Sequence, residues 1–204
     1  MPLNFDSVDI ADINTAIAAG GRIWYNDCLD RLKTKIKNSF TTQDVSQCCY
    51  CARLFNGEFN MVIDIEHVLP QQSFPTERFI IPNLNIACKR CNMEIKKGDT
   101  SFIVNTAVMG TNYYQSHHYL FIHPNLDVYT RHIVLKTVRS GGLIFIKYIL
   151  KDKHKAQYTY DYFLLKELEI DTINNAQGSR PSSNISATIS NNLRRSFLSL
   201  LTRI

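Results

Sequence analysis

Apolar residues recur at helical spacing across residues 9 to 38. Ile13, Ala16 and Ile17 share one stripe, and Trp24, Cys28, Leu32 and Ile36 follow one turn apart. Gly20-Gly21 interrupts the run, so two packed helices are expected, with Asp9 or Asp12 as the cap. Lys33, Lys35 and Lys37 fall off the stripe and read as a solvated face, or alternatively as a face that tracks phosphates. Residues 60–68, with the apolar run Met61 to Ile65, predict a strand after the turn-forming Asn56-Gly57, and Pro70 stops it. Residues 70–82 contain three prolines and read as a loop. Leu84 to Ala87 is a second short strand, and Asn92 to Lys97 a helix ended by Gly98. Residues 132–138 and 143–150, joined by Arg139-Ser140-Gly141-Gly142, predict a β-hairpin, and Tyr162 to Ile170 a short helix. Beyond a polar linker, Ile185, Ile189, Leu193, Phe197 and Leu201 mark an amphipathic helix. The fold class is α+β.

Composition changes this picture little. Of 204 residues, 45% are hydrophobic and 20% charged, which is ordinary for a globular chain, and a net charge of +5 permits a polyanionic partner. The first six residues carry no secretory pattern. The apolar run Leu143 to Leu150 is broken by Lys147 and is too short for a membrane span. A cytoplasmic protein with no membrane partner is expected, and in a reducing compartment paired cysteines favour metal over disulfides.

The chemistry concentrates between residues 48 and 97. Cys48/Cys51 and Cys88/Cys91 are two Cys-x-x-Cys knuckles, the ligand set of a structural Zn2+ site, with Cys49 a bystander by spacing and Cys28 a buried small residue. Residues 52–87 lie between the knuckles, more than a plain zinc ribbon uses. Inside that span sit Asp64, Glu66-His67 and Asn83-Leu84, and Asn92 follows the last cysteine. A histidine can take a proton from water at neutral pH, while Glu66 and Asn92 offer oxygen donors of the kind that suit Mg2+ or Mn2+. Adjacent strand residues point to opposite faces, so Glu66 and His67 share a cleft only if the chain bends before Pro70. Asn83 suits a brace for that loop, and Cys91 fixes Asn92 relative to His67.

These residues resemble the HNH family of His-Me finger nucleases, in its four-cysteine zinc version. The resemblance rests on Cys48-Cys49-Tyr50-Cys51, Glu66-His67-Val68-Leu69-Pro70, Asn83-Leu84 and Cys88-Lys89-Arg90-Cys91-Asn92, with Lys96 or Lys97 following. It implies a zinc-stapled ββα core in which His67 activates water, Glu66 and Asn92 bind a catalytic Mg2+ or Mn2+, and Asn83 is the structural asparagine. Asp64 is a substitute first ligand, because that position is often aspartate in the family. Lys89, Arg90, Lys96 and Lys97 are candidate phosphate contacts. The expected activity is endonucleolytic cleavage of DNA, most readily double-stranded, with little sequence preference. The expected organisation is an N-terminal helical segment (1–45), the nuclease core (46–105), an α+β extension (106–170), and a linker with the amphipathic helix (171–204). Residues 120–150 are similar to HNH subunits of Septu- and retron-type anti-phage systems, which implies an ATPase or other defence-complex partner. The competing readings are a catalytically silent zinc module that binds nucleic acid or scaffolds a complex, and an RNase.

Overall fold

The computed structural model describes residues 3–42, 45–140 and 143–171. Helix α1 (Ser7–Ala19) begins earlier than its apolar spacing implies, because Asp6 rather than Asp9 or Asp12 is the cap. The Asp6 carboxylate accepts from the amides of Val8 and Asp9, and the Asp9 carboxylate accepts from the Asp6 amide, a reciprocal box that satisfies otherwise orphaned donors. Gly20 ends the helix at φ 68°, a left-handed conformation that suits a residue without Cβ. Asp9 is buried against α2 (Asp30–Thr41), where Arg31 at 2.8 Å and Lys35 at 2.5 Å neutralise it. Lys35 therefore fastens the two helices together. Ala16, Leu29, Leu32 and Ile36 fill the space between the helices and continue onto Leu84 of the sheet. Each fully buried Leu or Ile contributes about 1.5–3 kcal/mol.

That packing seats the helical pair on an antiparallel two-stranded sheet. Strands β1 (Ile63–His67) and β2 (Leu84–Cys88) pair with Ile63 opposite Cys88 and His67 opposite Leu84. The first strand is shorter than expected, because Asn60–Val62 forms a 3-10 turn ahead of it. The helix after the second knuckle starts inside the knuckle and is π-helical over Arg90–Lys96, so Cys91 is itself helical. Lys97 follows at φ 51°.

The remainder is α3 (Thr106–Met109), α4 (Tyr129–His132), the hairpin β3 (Ile133–Ser140) and β4 (Leu143–Leu150), α5 (Lys155–Tyr162), and a short β5 (Ile170–Asp171) on β4. Where a helix was expected over 162–170, α5 instead ends at Tyr162. Leu164 turns left-handed at φ 49° before a 3-10 segment, Leu165–Leu168. The expected amphipathic helix and most of its linker lie outside the described residues. Among the described residues both sheets are small and antiparallel, one of two strands and one of three, and the class is α+β. Among the described residues no helix is long and apolar enough to cross a membrane.

The extension and the first knuckle share a core. Tyr50 stacks on Phe163 at 4.1 Å and meets Phe121 edge-on at 5.5 Å, and Phe102 stacks on Phe121 at 4.3 Å. Two tyrosines donate to the knuckle backbone, Tyr148 to the Cys51 carbonyl at 2.7 Å and Tyr129 to the Tyr50 carbonyl at 3.0 Å.

Candidate metal centre and cleft

The sulfurs of Cys48, Cys51, Cys88 and Cys91 lie within 4.8 Å of one another, and all four residues are buried. Local structure explains the convergence. The first knuckle turns back on itself through Ala52, whose amide donates to the Cys48 carbonyl and whose φ is 55°, and the Cys49 amide donates to Ile86 of β2. The second knuckle runs from the end of β2 into the π-helical turn. Hydrogen bonds from the other three thiols hold the Cys88 thiol far below its ordinary pKa, whereas burial pushes Cys48 up. A divalent cation bound among them would allow all four thiols to ionise. The set could hold a metal ion such as zinc. Cys49 stands outside it. Cys28 is half-buried rather than buried, and its thiol donates to the Asp12 carbonyl at 3.4 Å.

Asn83 braces the loop after β1. Its Oδ1 accepts from the Leu69 amide at 2.7 Å, and its Nδ2 donates to the carbonyls of Leu69 and Glu77 at 3.1 and 3.0 Å. All four bonding positions of a buried amide group are seldom used; here three are, and they fix both ends of the loop. His67 stands at the start of that loop. Its Nε2 is 3.0 Å from the Arg78 carbonyl, and a carbonyl only accepts, so the proton sits on Nε2 and Nδ1 keeps its lone pair. Burial depresses its pKa to about 4, so the ring is neutral at neutral pH. The edge-on indole of Trp24, 4.4 Å away, shields it.

Glu66 is placed differently from the expectation. It is 0% exposed, with Oε1 2.7 Å from the Lys96 ammonium and 3.0 Å from the Tyr50 hydroxyl, which donates to it. Oε2 is buried and has no partner among the described residues. Lys96 is 1% exposed and also donates to the His67 carbonyl at 2.9 Å. Alternation separates Glu66 from its neighbour His67, and the bonds to Lys96 and Tyr50 hold Glu66 inside, away from the residues that line the cleft with Asn92. Lys96, expected at phosphates, is likewise inside the protein. Arg90 is also engaged: its guanidinium donates to the carbonyls of Phe163 and Leu164 at 2.9 and 3.1 Å and pairs with Glu167.

What lines the cleft with His67 is Asp64 and Asn92, in a space of ≈ 840 Å³. Asn92 Nδ2 lies 3.4 Å from Asp64 Oδ2, and Lys89 pairs with Asp64 Oδ1 at 2.8 Å. The rest of the lining comes from α2 and the 3-10 turn Ile23–Tyr25 ahead of it: Trp24, Tyr25, Lys33 and Lys37 face the same space. Lys37 donates to the Asn60 carbonyl at 3.1 Å, and its pKa is lowered by burial despite the carboxylate of Asp64. Sequence reasoning missed the inward ion pair of Glu66 with Lys96 and the closing of the cleft by Trp24. The alternation of β1 was the signal for the first. Comparison with protein-family models, curated proteins and solved structures gives no significant match.

Proposed function

We propose that this protein is a metal-dependent endonuclease that hydrolyses DNA phosphodiester bonds in the cleft beside β1. One observation carries the reading: a neutral imidazole with its Nε2 proton committed to the Arg78 carbonyl shares a cleft with the paired oxygen-bearing side chains of Asp64 and Asn92. In this role His67 accepts a proton from the attacking water through Nδ1, and the carbonyl bond stabilises the ring as it becomes cationic. Asp64 and Asn92 fit a hard divalent cation, with an amide flip of Asn92 presenting its oxygen; Asp64 takes the place expected of Glu66. When bound there, Mg2+ or Mn2+ supplies charge stabilisation at the scissile phosphate. Asn83 holds His67 in register by bracing the loop that carries the Arg78 carbonyl. The four thiolates, closed by Zn2+, tie Asn92 to the end of β2, opposite β1.

The sequestration of Glu66 by Lys96 favours a second reading, a silent zinc module that binds nucleic acid without cutting it. Supercoiled plasmid incubated with the zinc-loaded protein and Mg2+ or Mn2+ separates the two. The nuclease reading expects nicking that His67→Ala reduces by roughly 100-fold or more and that Asp64→Asn also suppresses. Equal nicking by wild type and His67→Ala removes His67 from the chemistry, and no nicking by wild type supports the silent module.

A further inference from the structure

The part of the cleft lined by the 3-10 turn Ile23–Tyr25 carries a feature that phosphodiester chemistry does not require. Tyr25, in the 3-10 turn Ile23–Tyr25, is 61% exposed yet lines the cleft, with the Arg22 guanidinium 4.1 Å from its ring centroid. Trp24, its neighbour, reaches the floor of the same space at His67. Four lysines (Lys33, Lys37, Lys89 and Lys97) line the same cleft against two aspartates, Asp30 and Asp64. Those two carboxylates pair with Lys33 and Lys89, which leaves Lys37 and Lys97 in surplus. The Lys97 amide donates to the Asn92 carbonyl at 2.8 Å, and its ammonium makes no hydrogen bond or ion pair among the described residues. The cleft therefore offers stacking surface and unbalanced positive charge side by side.

We infer that the cleft binds an unpaired strand of nucleic acid, with bases stacking on the Tyr25 shelf while Lys37 and Lys97 take successive phosphates. A paired duplex keeps its base faces inside its own stack and presents only edges and backbone, so an exposed aromatic ring gains little from it. An unpaired strand offers every base face, and stacking on an aromatic side chain contributes about 1–3 kcal/mol per base with little sequence preference. The cleft's ≈ 840 Å³ is of the order that holds a few nucleotides of one strand. The inference deepens the nuclease reading by naming its substrate form, and departs from the duplex expected of the family resemblance. DNA and RNA strands share the chemistry invoked, so the test includes both.

Fluorescence anisotropy with the zinc-loaded full chain carrying His67→Ala, which cannot consume the probe under the nuclease reading, measures binding directly. The probes are a labelled single-stranded DNA, the RNA of the same sequence and the matching DNA duplex. The expected result is tighter binding of at least one single strand than of the duplex. Adding Tyr25→Ala should weaken that binding by roughly 5- to 150-fold, and Tyr25→Phe should restore it. Lys37→Met should lower the slope of log affinity against log salt by about 0.7. Unchanged thermal unfolding of Tyr25→Ala shows that the effect is not a folding defect. Preference for the duplex, or Tyr25→Ala binding as tightly as its parent, overturns the inference. The two readings fail separately. His67-dependent nicking with Tyr25-independent binding leaves the nuclease and removes the shelf, whereas Tyr25-dependent binding without cleavage leaves the shelf and removes the nuclease.

Discussion

Replacing Lys96 by methionine tests how the interior supports His67. The ammonium sits 2.7 Å from Glu66 Oε1, with both side chains essentially inaccessible to water. At that distance two unit charges attract by about 6 kcal/mol at an effective dielectric of about 20, much of it offset by the desolvation of both groups. The pair is thus of modest net value, but breaking it strands a buried carboxylate whose only other partner among the described residues is the Tyr50 hydroxyl. Lys96→Met should therefore cost about 3–5 kcal/mol. Glu66→Gln, which strands the ammonium, should cost a comparable amount. The double variant removes both charges and should lie within about 2 kcal/mol of wild type. Urea denaturation of the zinc-loaded protein measures all four corners of the cycle. A Lys96→Met loss under about 1 kcal/mol, or a double variant as unstable as the sum of the singles, would refute this account.

Asn83→Ala removes three hydrogen bonds and strips the Leu69 amide and carbonyl of their Asn83 partner, while the Glu77 carbonyl keeps the Ile80 amide; a loss of roughly 2 kcal/mol or more is expected by chemical denaturation, and a loss below about 1 kcal/mol would show that the loop is held by other contacts. Acid should destabilise the fold through two imidazoles, because burial depresses His67 to about 4 and His123 to about 3, below the ordinary 6.5. Both contribute stability that is fully present above pH 6.5 and is lost as pH falls through their folded values, at most about 3 and about 5 kcal/mol. Thermal unfolding followed from pH 7 to pH 4 should show this loss, and His123→Phe should flatten the slope; an unchanged slope would remove His123 from the explanation.

The helical pair, the two strands of the sheet and the β3–β4 hairpin were legible because each depends on a short-range pattern: Leu32 and Ile36 one turn apart, the apolar run into Ile65, the paired runs flanking Gly141-Gly142. The thiol quartet was legible from spacing, and Asn83 from the need of a turn for an amide. The rest was not, because it depends on distant partners. Capping by Asp6 is decided by where the first turn closes, and periodicity does not locate that. Lys96 and Arg90 look like surface cations in sequence, since nothing local announces that Glu66 and the carbonyls of Phe163 and Leu164 await them across the fold. In β1 two signals disagreed. Alternation pointed Glu66 away from His67, while the family resemblance set Glu66 with Asn92 at an ion in the cleft that His67 serves. The structure separates Glu66 from His67 as alternation requires, yet Asp64, on Glu66's face by the same rule, reaches Asn92 at the far end of the strand.

The two tyrosine hydroxyls that grip the carbonyls of Cys51 and Tyr50 make the thiol cluster a keystone for distant parts of the chain as well as for its own turn. Oxidation of a single sulfur there would loosen the anchorage of β4 and α4 at the same moment as it slackened the strands beneath His67. Injury to the clasp would be registered first as cooperative melting across the molecule, rather than as a quiet loss of chemistry at one pocket.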